Sequence, residues 1–262
     1  MAEELAVSAE LRKRLLEVNT LLFDLDGTLL GCDINVFLQY YLQTVATKVA
    51  QAGLAEPKAF MRQLLASTQA MVDNLEPTVN NASAFAGHFY PALAMERAKA
   101  EPVFMNYYAN DFPKLRTRTY VKPAARALLT LAASKGYDLV LATNPLFPLV
   151  AIEERMRWAE VFDFPWRLVT AYESMHFCKP HVEYYREILD LIGRSPEECL
   201  MVGNDVEEDL VAGTLGLATF LDPSQLIQRG SGPSGADLTG SLDDLLKIIR
   251  DLPGRNRVRA YA

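Results

Sequence analysis

The chain has 262 residues, enough for one large domain or for a core carrying an insert, and half of it is apolar. Charged residues make up 23% and the formal net charge is −7, without any basic tract of the kind that tracks phosphates, which excludes nucleic acid as an expected partner. The cysteines, Cys32, Cys178 and Cys199, are odd in number and lack Cys-x-x-Cys spacing, so they offer neither a disulfide framework nor a zinc site and fit a reducing, cytoplasmic setting.

Met1 to Leu5 carry acids where a secretory signal needs a basic segment and then an apolar one. No apolar run approaches the ~20 residues that span a bilayer, so no membrane association is expected. Residues 8 to 19 suit a short leading helix, and Leu21, Leu22 and Phe23 read as a short buried strand. From Asp33 to Asp111 apolar residues recur at helical spacing, as in Val36, Phe37, Tyr40, Tyr41 and Thr44 and again in Phe60, Leu64, Leu65, Thr68 and Met71. Breaks at Gly53 to Pro57, Glu76 to Asn81 and Glu101-Pro102 divide this stretch into about four helices.

From Pro123 the rhythm becomes helix and strand in turn. Helices are predicted over Ala124 to Lys135, Phe147 to Trp158, Val182 to Ile192, Val206 to Leu215 and Leu242 to Arg250. Strands are predicted over Leu139 to Ala142, Arg167 to Thr170, Cys199 to Val202 and Ala218 to Leu221. Arg229 to Gly235, rich in glycine and serine, reads as a mobile loop. Such alternation predicts a Rossmann-like, three-layer α/β core, a parallel sheet covered on both faces by right-handed crossovers. The predicted division is a core of residues 1–32 and 115–262 with an all-α insert over 33–114, and the insert should sit like a lid over the carboxyl end of the first strand.

Asp24 and Asp26 stand at that end, just before Gly27 and Thr28. Taken alone, Asp-x-Asp is also an ordinary acidic turn. Further polar groups follow the other predicted strands. Thr143 and Asn144 come after Leu141, with a hydroxyl and backbone N–H groups that open a helix and can favour an anion, although a helix cap reads the same way. Lys179 precedes the helix at Val182, a place where a lone lysine is ordinarily a solvated charge. Asp205 and Asp209 follow Gly203-Asn204, and their four-residue step puts both on one face of the expected helix, where acids also suit the dipole. The order of these segments, each at a strand end, is what sets them apart from accident.

The set resembles the haloacid dehalogenase (HAD) superfamily, whose phosphatase-type members carry Asp-x-Asp-Gly-Thr, a Ser/Thr after the second strand, a Lys and a Gly-Asp-x-x-x-Asp pair, with an α-helical cap between the first two motifs. The likeness covers Thr20 to Leu30 and about Lys122 to Leu221, and it echoes again in Ala236-Asp237-Leu238 and Ser241 to Leu245. One departure is Gly203-Asn204-Asp205, where many relatives have Gly-Asp directly. The four-residue step to Asp209 favours Asp205 over Asn204 as the acid that faces a metal.

The resemblance implies Asp24 as nucleophile toward a small phosphorylated metabolite and Asp26 as general acid and base. It implies Mg2+ held by Asp24, the Asp26 backbone carbonyl and Asp205. Lys179, Thr143 and the Asn144 N–H would face the phosphoryl oxygens, Asp209 would orient Lys179 or the metal's waters, and Thr28 would brace the turn. Members that displace halide lack an acid at the position of Asp26, so its presence points to phosphoryl transfer. Within the same resemblance stand a phosphomutase, which would interconvert a sugar phosphate, and a phosphonate-cleaving enzyme, which would need Lys48 or Lys58 as a Schiff-base lysine. A non-catalytic binding protein is disfavoured because every catalytic position is filled. Substrate choice would fall to the cap, with Asn35, Lys48, Lys58 and Arg62 as polar candidates and Phe37, Tyr40 and Tyr41 as walls, although aromatic stripes more often form a helix core. His176, beside Glu173 and Ser174, is a candidate for the cleft rim and equally a plain loop residue.

Overall fold

Along residues 8–255, which the computed structural model describes, α1 (Ala9–Glu17) starts on the Ser8 hydroxyl, an acceptor for Leu11 N–H at 3.2 Å, and passes at once into β1 (Thr20–Phe23). The acidic first residues, read above against a signal segment, lie outside the described residues. A short strand, β2 (Leu30–Cys32), leads into α2 (Ile34–Gln51), α3 (Pro57–Val72), α4 (Asn81–Ala92) and α5 (Arg97–Asn110). Asp33 caps α2 through its carboxylate, and Pro57 at the head of α3 uses a position whose N–H needs no partner. β3 (Thr119–Val121) then returns antiparallel to β2, with Leu30 opposite Val121 and Cys32 opposite Thr119. The helical stretch is therefore entered and left along one two-stranded ribbon, whose strands are too short to leave a periodic signal.

The alternating half follows as α6 (Pro123–Ser134), β4 (Asp138–Leu141), α7 (Leu149–Trp158), β5 (Trp166–Val169), α8 (Val182–Ile192), β6 (Cys199–Gly203), β7 (Ala218–Leu221), β8 (Leu238–Thr239) and α9 (Leu242–Asp251). Six strands form one sheet in the order β5-β4-β1-β6-β7-β8, and every neighbouring pair is parallel. β1 is central: Thr20 lies opposite both Asp138 of β4 and Cys199 of β6. Strand order reverses there, which opens a crevice beyond the carboxyl ends.

Alternation along the strands divides the interior. Leu21 and Phe23, Leu139 and Leu141, and Leu200 and Val202 face α6, α9 and the helical insert, whereas Leu22, Val140, Cys199 and Met201 pack against Tyr184, Tyr185 and Ile188 of α8. The first cluster runs without a break from the sheet into the insert through Phe37, Tyr41 and Phe112. Phe112 stacks on Trp158 of α7 at 5.3 Å, and Phe37 meets the same indole edge-on at 6.3 Å.

Two helices differ from the periodic reading. Val206 to Leu215 is not an α-helix but a turn, capped by the Asp205 carboxylate at the Glu207 and Glu208 N–H groups, followed by a 3-10 segment, Leu210–Leu215; the glycines at 213 and 216 are poor helix formers and keep the stretch from extending. α7 begins at Leu149 rather than Phe147, since Pro148 biases its predecessor away from helical geometry. Among the described residues no helix is long and apolar enough to cross a membrane.

Candidate active site

Asp24 extends β1 by one residue. Its N–H donates to Val202 O at 2.9 Å, while Ala142 N–H donates to Phe23 O at 2.7 Å, so the backbone under this carboxylate is held from both neighbouring strands. The chain then doubles back through Gly27, at φ +89°, where Gly27 N–H donates to Leu30 O and Leu30 N–H to Leu25 O, each at 2.8 Å. Thr28 ties that turn to the loop after β6, its hydroxyl donating to Asn204 Oδ1 at 2.9 Å. Lys122 adds a brace by donating to Gly27 O at 3.0 Å while paired with Asp222 at 2.7 Å.

Lys179 reaches the same place from the loop before α8. Its side chain is 1% exposed, with Nζ 3.0 Å from Asp24 Oδ1 and 2.6 Å from Asp209 Oδ1. Asp209 is fixed in turn, because its Oδ2 accepts the Asn204 and Asp205 N–H groups at 2.9 Å. One ammonium thus serves two buried carboxylates. Burial pulls the lysine toward its neutral form, but Asp209 and Asp24 outweigh that pull and hold it charged. Asp24, the more distant of the two acids, is pushed up to about 8 by burial, with Lys179 opposing and Asp209 and Asp26 adding to the rise.

Asn144 supports the lysine's backbone rather than standing free. Its Oδ1 accepts Lys179 N–H at 3.2 Å, and its Nδ2 donates to Lys179 O at 3.3 Å and to Glu208 at 3.0 Å. Thr143 is buried at the end of β4, where its carbonyl accepts the hydroxyls of Thr170 and Tyr184 at 2.7 and 2.8 Å. The expected helix N-terminus beside them lies elsewhere, and Leu149 N–H at the head of α7 is taken by the Glu173 carboxylate at 3.0 Å.

Asp205 is buried, with Oδ1 accepting Glu207 N–H at 3.0 Å, Glu208 N–H at 2.9 Å and Arg229 Nη1 at 2.8 Å. Asn204 instead spends its side chain on Thr28 and on Gln225 O, the latter at 2.7 Å. The segment expected to be a loose loop therefore begins pinned, since Arg229 and Gly230 N–H also donate to Glu207 Oε1 at 2.8 and 2.9 Å.

Two functional-looking residues escaped the sequence reading. Arg229 sat inside a glycine-serine stretch. Arg155 sat on the buried face of α7, and its Nη1 donates to Asp26 Oδ2. Asp26 is raised above the ordinary carboxylate range by burial, against the pull of Arg155 and Lys179. An arginine at a helix position otherwise filled by apolar side chains was the available signal.

Other candidates lie apart. Lys48 pairs with Asp111 at 2.8 Å and lines, with Tyr40, Thr44 and Arg118, a surface cavity of about 430 Å³ that includes neither Asp24 nor Asp26. Lys58 is exposed, Tyr40 lies under the Arg118 guanidinium at 3.7 Å, and Phe37 and Tyr41 are buried. His176 is turned to α8, its Nδ1 2.7 Å from Glu187.

The chemistry of the donors fits a hard cation. Among the described residues no three His, Cys, Asp or Glu side chains converge as a cage. A site here would consist of the Asp24 and Asp205 carboxylates, the Asp26 carbonyl and water, an oxygen set suited to Mg2+. Burial is the main cause of Asp24's rise to about 8, with Asp209 and Asp26 adding to it, and a cation bound here would favour the charged carboxylate.

A family model for haloacid dehalogenase-like hydrolases matches residues 18–214. The chain is 24% identical over 201 residues to the pyrophosphatase PpaX of Bacillus cereus, covering 76% of this chain and 79% of that protein. It is 28% identical over 130 residues to the glyceraldehyde 3-phosphate phosphatase of Methanothermobacter thermautotrophicus, covering 48% of this chain and 56% of that one. In fold it is similar to the crystal structure of a HAD phosphatase from Thermococcus onnurineus, with a TM-score of 0.57 and 18% identity over 91% of this chain and 100% of the other.

Proposed function

The chain belongs to the haloacid dehalogenase-like hydrolases, and from that membership we propose that it hydrolyses a small phosphate monoester through an aspartyl-phosphate on Asp24. The observation that carries the reading is the Asp24 carboxylate at the end of the central strand, buried and facing an ammonium that it shares with Asp209. The similarity to the Bacillus pyrophosphatase and the Methanothermobacter glyceraldehyde 3-phosphate phosphatase, both named for small phosphorylated substrates, supports it. In this reading residues 33–114 form the cap, residues 1–32 and 115–262 form the catalytic core, and the protein acts in the cytoplasm.

An Asp24 oxygen attacks phosphorus in line; the P–O bond to the leaving group breaks and its electron pair passes to the leaving oxygen. Asp26 delivers the proton to that oxygen, then removes one from the water that attacks phosphorus and releases inorganic phosphate, regenerating both carboxyl groups. Lys179 holds a fixed positive charge against the phosphoryl oxygens, and the Thr143 hydroxyl and Asn144 N–H donate to them. Asp209 keeps Lys179 in place. Asp24, the Asp26 carbonyl and Asp205 would hold Mg2+, which would neutralise part of the phosphoryl charge.

The test is release of phosphate from a panel of small esters with Mg2+. The wild type is expected to turn over at least one ester, and Asp24→Asn or a chelator is expected to abolish release while the circular dichroism spectrum is kept. Release that survives Asp24→Asn refutes the assignment, and isomerisation of a sugar phosphate without release would replace it with mutase chemistry.

A further inference from the structure

Arg155 is among the largest fully buried side chains described, at 1% exposure, and only part of its hydrogen-bonding capacity is used. Its Nε donates to Ala151 O at 3.3 Å within α7, and its Nη1 donates to Asp26 Oδ2. Its Nη2 is buried without a partner, and so is Oδ1 of the Asp26 carboxylate that it holds. The guanidinium lies over the Phe147 ring at 4.5 Å from the centroid, and Tyr41 of the helical insert packs edge-on against the same ring at 5.0 Å. An arginine can hydrogen-bond through a planar fork of donors, and a buried donor left unmatched costs stability that apolar packing does not return. A core built only for packing would place an apolar residue at this position of α7.

The unmatched pair has a direction in the proposed reaction. In the proposed reaction Asp26 protonates the oxygen that departs, so a group held against Asp26 would lie on the leaving-group side. Resting on the phosphatase reading, we propose that Arg155 is a specificity-determining residue whose Nη2 receives an anionic oxygen on the leaving group, so that the preferred substrates are phosphate esters or anhydrides with a second anionic group next to the scissile bond. A carboxylate and a second phosphoryl group both supply that oxygen, and a guanidinium fork pairs with either. A neutral leaving group offers Nη2 only an uncharged acceptor.

The test uses the full chain with Mg2+ and substrates of similar size: 2-phosphoglycolate against 2-hydroxyethyl phosphate for the carboxylate, and pyrophosphate against acetyl phosphate, likewise an anhydride, for the phosphoryl group. In the wild type kcat/KM should favour the anionic member of at least one pair, and the pair that responds identifies the anion. Arg155→Met should lower kcat for every substrate, because Asp26 loses its partner, and should in addition collapse the anionic preference by on the order of tenfold to a hundredfold, carried mainly in KM. Arg155→Lys, which keeps the charge and guards against a misfolded methionine variant, should retain part of the preference. Equal loss for both members of each pair, or a wild type that prefers the neutral ones, overturns the proposal and leaves Arg155 as a brace for Asp26. Calorimetric binding of 2-phosphoglycolate and 2-hydroxyethyl phosphate to Asp24→Asn, with and without Arg155→Met, reads the same preference without turnover. If esters bind with the expected preference but none is hydrolysed, the phosphatase reading fails and the role of Arg155 stands; if hydrolysis occurs without preference, the reverse holds.

Discussion

Lys179 shows how finely charge is balanced around Asp24. Replacing it with methionine leaves Asp24 and Asp209 buried without their cation, and removing one partner of a buried pair costs about 3–5 kcal/mol. Lys179→Met is therefore expected to lose phosphate release and to shift the denaturant midpoint down, and a variant with full activity would show that the ammonium is dispensable. Gly203 makes a second test by shape alone. A Cβ there would lie 2.0 Å from Asp209 Oδ2, the oxygen that already accepts the Asn204 and Asp205 N–H groups, whereas Gly87 in α4 has nothing within 4 Å. Gly203→Ala should evict Asp209, slow turnover sharply and cost roughly 1–3 kcal/mol. Gly87→Ala should leave activity alone and stabilise by about 0.5–1 kcal/mol, and comparing the two melting curves checks both.

At the scale of elements, Arg229 makes the segment after β7 a competitor for cations. Its guanidinium sits on Asp205 Oδ1 at 2.8 Å, where a metal ligand is proposed. Arg229→Gln should tighten Mg2+ binding measured by calorimetry and raise amide exchange in the segment after Ile227; unchanged affinity would mean that arginine and cation do not compete. Five strands of the six-stranded sheet and all but one of the core helices were legible in the sequence, because their apolar spacing is imposed by burial between layers; the two-residue β8 was not. The exceptions have local causes that periodicity does not encode. Pro148 delays α7, glycines at 213 and 216 break a would-be helix, and β2 and β3 pair over only three positions. Asp24, Asp26, Thr143, Lys179, Asp205 and Asp209 could be picked out because each follows a strand or opens a helix, positions that a sequence displays. Arg229 could not, since its partner Asp205 becomes a neighbour only through the tertiary fold, and Arg155 shows in the sequence only as a charge on the apolar face of α7, with nothing to point to Asp26.

Across the whole molecule the insert and the sheet share one interior. α4 is docked at its start as well, with Asn81 N–H donating to Met175 O at 2.8 Å, Ala82 N–H to Tyr172 O at 2.9 Å and Asn80 Nδ2 to Glu173 O at 2.9 Å. Three buried thiols report on this interior from separate places. Cys32 ends the ribbon strand β2, Cys178 precedes Lys179, Cys199 opens β6, and burial pushes each thiol up to about 12. At pH 8 all three are protonated and enclosed, so an aromatic disulfide reagent should label them only as fast as the protein opens. Earlier labelling of Cys32 than of Cys199 would identify the ribbon side as the first to open, and immediate labelling of all three would contradict the described packing. The central position of β1 also has a consequence for synthesis. Its two partners are not complete until Leu141 and Gly203 have been made, whereas the helices between β2 and β3 close most of their contacts locally. On the ribosome the strand that carries Asp24 must wait, apolar and unpaired, until the chain has been made as far as Gly203, so it is a part of the molecule in need of shelter during synthesis.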